Sequence, residues 1–79
     1  MTGVNTFGSS LTAALRSFMT EHGITQTQVG DYLGRSQNYV HGRLTGRNEL
    51  SADIIGAVAV LAHITPRALM VELTERMSH

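Results

Sequence analysis

The sequence predicts an all-α domain built from five short helices. Three observations carry this expectation. Apolar residues recur at helical spacing along most of the chain, serine and threonine caps alternate with glycine stops, and no segment alternates with period two. At 79 residues the chain holds one domain. A core this small has to pack efficiently or gain stability from a partner.

Residues 1–8, rich in Thr, Gly and Asn, read as a flexible N-terminal arm, with residues 9–79 as the folded domain. Leu11, Ala14, Leu15, Phe18 and Met19 recur at helical spacing, so a first helix is predicted from about Ser10 to His22, stopped by Gly23. Thr25 and Gln28 form a capping-box pair that opens a second helix. Val29, Tyr32 and Leu33 give that helix an apolar side, and Gly34 ends it. Ser36 caps a third helix, Gln37 to about Thr45, closed by Gly46 and anchored by Val40 and Leu44 one turn apart. After the loop Arg47–Leu50, Ser51 caps a fourth helix from Ala52 to about Ala62. Its Ile54, Ile55, Val58 and Leu61 leave nearly every side apolar, so it is expected at the centre of the core. Thr65 followed by Pro66 opens the fifth.

Composition excludes several functions. The chain has no cysteine, so neither a disulfide framework nor a thiolate metal site is expected. His22, His41, His63 and His79 share no ligand spacing, and no metal or other cofactor is expected. Met1 to Ser10 hold no basic residue and no apolar run, as an export signal would require. The longest apolar stretch, Ile54 to Ala62, is interrupted by Gly56 and falls far below the roughly 18 residues of a membrane span. There is no glycine-rich phosphate loop, nucleophile elbow or triad order, so no enzymatic activity is expected. Glu72 and Arg76 are spaced as an i,i+4 pair on a solvated face.

Net charge is +0, which by itself points away from nucleic acid. The distribution of charge points the other way. Arg35, Arg43 and Arg47 cluster, and Glu49 is the one acid between Arg35 and Leu50. Only Val40 and Leu44 are needed to seat the third helix. Its remaining residues, Gln37, Asn38, Tyr39, His41, Gly42, Arg43 and Thr45, include no carboxylate. Gln and Asn pair bidentately with adenine in the major groove, and Arg reads guanine or phosphate. An amide-rich, acid-free face flanked by arginines is the chemistry such a groove selects.

The run from Ile24 to Val40 (ITQTQVGDYLGRSQNYV), with Leu44-Thr45-Gly46-Arg47-Asn48 and Ile64-Thr65-Pro66, resembles the helix-turn-helix of the Cro and phage repressor family, over about Leu11 to Leu73. The resemblance implies a compact five-helix lambda-repressor-like DNA-binding domain with its helix-turn-helix at the second and third helices. It further implies a sequence-specific transcriptional regulator, such as a small phage or bacterial repressor in the host cytoplasm. Double-stranded operator DNA and a second copy of the chain are the implied partners. Position by position, Gln26 would touch a phosphate and brace Gln37. Gln37 and Asn38 would face bases, and His41 would reach a base or phosphate. The loop Thr45, Gly46, Arg47 and Asn48 would grip the backbone, with Asn48 near a base. Arg35 and Ser36 flank this surface. Tyr39 is open to two roles, its ring against the second helix and its hydroxyl toward DNA. There are departures from the family pattern. Gly42 stands where the family places a longer residue and costs about 1 kcal/mol relative to Ala. Gly30 replaces a preferred Ala. Arg43 occupies an often apolar position, from which its head is expected to reach phosphate over a buried stem.

Met70, Val71 and Met77 give the fifth helix more apolar surface than its own domain needs, which suggests a dimer seam. The competing reading is a protein-interaction module on the same fold, an antitoxin or bridging factor, favoured by the zero net charge and the absence of lysine.

Overall fold

The computed structural model describes residues 6–78. They form five helices, α1 (Thr6–Glu21), α2 (Gln26–Leu33), α3 (Gln37–Leu44), α4 (Ala52–Leu61) and α5 (Pro66–Met77), with no strand among the described residues. The predicted all-α class holds. The first helix begins at Thr6 rather than Ser10, inside the stretch read as an arm. Ser9 and Ser10 lie within it rather than capping it, the helix continuing through Gly8. Thr12, buried in α1, satisfies its hydroxyl by donating to the Gly8 carbonyl at 2.9 Å. The rest of the proposed arm, residues 1–5, lies outside the described residues.

Most of the apolar positions read from periodicity converge on one core; Tyr32, read as part of the apolar side of α2, is instead 54% exposed. Leu15, Phe18, Val29, Val40, Leu44, Ile54, Val58, Leu69 and Leu73 are all essentially inaccessible. The helix α1 packs on α5 and α3, while α4 packs on α2 and α5. The chain turns through 101° between α4 and α5. No single described helix is long and apolar enough to cross a membrane, and α4 and α5 reach that length only when joined across this bend.

Three helix ends share one hydrogen-bond pattern. Ile24 N–H donates to Met19 O at 2.9 Å, Arg35 N–H to Gly30 O at 2.9 Å, and Ile64 N–H to Ala59 O at 3.0 Å. Each closes over a left-handed residue that satisfies the last carbonyls. Glycine supplies the first two, at Gly23 and Gly34, both with φ 68°. The third is His63 at φ 60°, where no glycine marked the stop. An L side chain pays for that conformation in Cβ–carbonyl repulsion.

The α1 and α5 C-termini are tied by Arg76, whose guanidinium donates to both carboxylate oxygens of Glu21 at 2.7 and 2.8 Å. The i,i+4 partner read from the sequence, Glu72, is 4.0 Å away and secondary. The forked pair holds the Glu21 carboxyl below its ordinary range and raises Arg76 further.

Substitutions at the two kinds of helix stop should have opposite signs. Nothing lies within 4 Å of a Cβ placed on Gly34, so Gly34→Ala should cost about 1 kcal/mol through backbone conformation alone. His63→Gly should stabilise by up to about 1 kcal/mol. Urea unfolding of both variants checks this, and shifts of the same sign would contradict the left-handed assignment.

Candidate nucleic-acid interface

The candidate surface is built on α2, the turn Gly34–Ser36 and α3. The capping box forms as its residues predict: Gln28 N–H donates to the Thr25 hydroxyl at 3.1 Å, and Thr25 N–H donates to Gln28 Oε1 at 2.8 Å. Gly30 is buried against the turn, where a Cβ would stand 3.1 Å from Arg35 O and 3.6 Å from Val40 Cγ2. That close approach brings α3 down onto α2. Ser36 caps α3 by accepting from Tyr39 N–H at 3.1 Å, and Val40 and Leu44 bury its inner side completely.

The opposite side of α3 is open. Arg35, Ser36, Gln37, Asn38, His41, Thr45, Arg47 and Asn48 are all exposed. Gln26, half-buried, sits beside them and pairs with His41, its Oε1 lying 3.3 Å from His41 Nδ1. An amide oxygen only accepts, so the imidazole hydrogen lies on Nδ1 in this pairing. The resemblance gave Gln26 to Gln37; among the described residues Gln26 is hydrogen-bonded to His41 instead.

Two expected contacts are corrected. Tyr39 is half-buried, and its hydroxyl donates to Asp53 Oδ2 at 2.8 Å, so it is engaged inside the protein rather than facing outward. Its ring carries Arg35 at 4.3 Å and Arg43 at 4.5 Å from the centroid. Both guanidinium groups lie within cation–π distance of the ring. Arg43 does bury its stem, but its head donates to the Glu49 carbonyl at 2.7 Å instead of reaching outward. Arg47 is exposed beside α3, its guanidinium lying over Gly42, and it forms no ion pair among the described residues.

Asp53, which the sequence reading passed over, holds this arrangement from beneath. Ser51 was expected to cap α4 with its side chain, but its hydroxyl donates to the Asp53 carboxylate. Asp53 Oδ1 also accepts from Ile54 N–H at 2.8 Å. The Ser51 hydroxyl lowers the Asp53 pKa most, and Tyr39, the Ile54 amide and the nearby Arg35 charge act in the same direction against burial. An acid in the first turn of a helix was the available signal. No group of three metal-ligating side chains occurs among the described residues, and His79 lies outside them.

Comparison with protein-family models, curated proteins and solved structures gives no match. The functional reading therefore rests on residues and geometry.

The Asp53 network should appear in the acid limb of stability. Its carboxyl ionises more readily folded than unfolded, so its contribution is complete above the unfolded value of about 3.9 and is lost as pH falls through the lower folded value. Asp53→Asn should therefore lower stability at pH 7 and reduce the slope below pH 4. The remaining slope belongs in part to Glu21, which is depressed in the same sense. Urea titrations from pH 2 to 7 measure this, and an unchanged acid slope would contradict the network.

Proposed function

We propose that the protein is a sequence-specific DNA-binding regulator that docks α3 in the major groove as the second helix of a helix-turn-helix. One observation carries the reading. The exposed face of α3 and its flanks present Arg35, Gln37, Asn38, His41, Arg47 and Asn48 together; α3 itself carries no carboxylate, Glu49 stands at the far end of the loop, and Asp53 is occupied by Tyr39 and Ser51. Amides and arginines on an acid-free convex helix match base edges and phosphates, whereas a carboxylate there would repel the backbone. The zero net charge implies weak non-specific binding, so recognition depends on this local surface. The lambda-repressor-like arrangement of helices, a bacterial or phage origin and a cytoplasmic role as a repressor belong to the same proposal. No chemistry is assigned to the chain, and no cofactor is required.

Reading and holding are separable. Gln37→Ala should cost roughly 1–3 kcal/mol on a duplex selected from a random pool and relax preference at one base pair, leaving random-duplex affinity nearly unchanged. Arg47→Ala should weaken selected and random duplexes alike and lower the salt slope by about one per bound copy. Fluorescence anisotropy at two salt concentrations resolves the two. Equal losses from Gln37→Ala on both duplexes would remove α3 as the reading element. A wild-type chain with no salt-sensitive binding at tens of micromolar would favour the protein-interaction module instead.

A second copy is proposed on DNA. Of the three residues that suggested the seam, Met70 and Met77 are half-buried against the core and Val71 is exposed. Arg67, Val71 and Glu75 form an exposed strip of α5, with Val71 at 51% exposure. Crossed antiparallel at Val71, two such strips place each Arg67 opposite the other copy's Glu75. Val71→Glu should leave the fold intact and abolish cooperative binding to paired half-sites spaced about 34–36 Å apart. Gel-shift stoichiometry checks this, and an unchanged two-copy complex would exclude the α5 seam.

A further inference from the structure

Gly42 is anomalous within α3. Asn38, Gly42 and Thr45 lie on one stripe of the helix, at i, i+4 and i+7. Asn38 and Thr45 are exposed, yet Gly42 between them is buried. The cover comes from the loop that follows. Asn48 N–H donates to the Gly42 carbonyl at 3.0 Å, folding the chain back over α3. A Cβ on Gly42 would stand 2.8 Å from Asn48 Nδ2, but 3.5 and 3.6 Å from the Arg47 guanidinium nitrogens. The first distance is incompatible with a methyl group, while the other two are ordinary contacts. The Asn48 amide therefore occupies the place a side chain at position 42 would fill.

We infer that Gly42 is a specificity-determining positioning residue, whose missing side chain seats the Asn48 amide on the reading face one turn beyond Asn38. This rests on the DNA-binding function proposed above. The reading surface is then composite, with Gln37 and Asn38 supplied by the helix and Asn48 supplied by the loop through the gap at Gly42. Two asparagine amides along one stripe select adenine-bearing base pairs, since each offers the paired donor and acceptor that the adenine edge requires. The inference also accounts for a glycine inside a helix of 8 residues, where alanine would favour the helix itself. Arg47, at ordinary contact distance, keeps its place when a methyl group is added, so phosphate contact and base reading respond differently.

Gly42→Ala tests this because it separates stability from specificity. The clash is with the free end of a flexible side chain, so the variant should fold with an unchanged or higher melting temperature. Its affinity for the selected duplex should fall roughly tenfold, with an A·T preference lost at one base pair per half-site. Random-duplex affinity and the salt slope should stay at wild-type values. In an Asn48→Ala background the same substitution should change selected-site affinity less than twofold, because the group it displaces is already gone. The Asn48 side-chain amide resonances should move between wild type and Gly42→Ala in the absence of DNA. A variant that binds the selected duplex as tightly as wild type, or whose loss adds in full to that of Asn48→Ala, overturns the inference while leaving the DNA-binding function standing. A wild-type chain that binds no duplex overturns both.

Discussion

An eight-residue helix does not hold itself together in water, because nucleation costs more than two turns of hydrogen bonds return. The helix α3 exists only as a part of its surroundings, and its outward face is no more ordered than the contacts beneath it. Val40 and Leu44 supply the apolar anchor. The Tyr39–Asp53 hydrogen bond, together with the arginines stacked on the ring, supplies the polar one. Asp53 belongs to the first turn of α4, so the orientation of α3 is tied to the central helix of the core rather than to the loop between them. The amides and cations on the exposed side are thereby presented by a supported platform. Such support is what a reading surface needs if it is to match base edges.

Most of the fold was legible because its signals are local. The Thr25 box, the Ser36 and Thr65 caps, Pro66 and the left-handed Gly23 and Gly34 each act within a few residues of themselves. Features that depend on tertiary contact were not legible. His63 adopts a glycine conformation because the α4–α5 connection requires it. Arg76 chooses Glu21 over Glu72 because α1 and α5 end side by side, which no i,i+4 rule registers. The candidate surface divides in the same way. Exposure of Gln37, Asn38 and His41 follows from the helical phase set by Val40 and Leu44. The inward turn of Tyr39 and Arg43 depends on Asp53 in α4 and on the Glu49 carbonyl in the folded loop, neither of which helical phase within α3 registers. Gly42 read as a weak point in the helix; its place under Asn48 emerges only when the loop is seen folded back.

Neutrality shapes how the proposed function would operate. With +0 net charge, long-range attraction to DNA is weak, and association gains little from steering. Three of the arginines make contacts within the chain, since Arg35 and Arg43 stack on Tyr39 and Arg76 clasps Glu21. Phosphate contact then falls mainly to Arg47 and the outward edge of Arg35, with backbone and hydroxyl donors around them. A regulator built this way trades scanning affinity for a high ratio of specific to random binding. Pairing two copies multiplies that ratio without adding charge.

The most direct measurement of the central claim is an amide-resolved NMR titration of the full chain with its selected duplex at moderate salt. The account predicts that perturbations concentrate at Gln26, the turn Arg35–Ser36, the outward positions Gln37, Asn38 and His41, and the loop Thr45–Asn48, with α1 little affected. Perturbations gathered on α1 and α5 instead, with α3 unmoved, would contradict it.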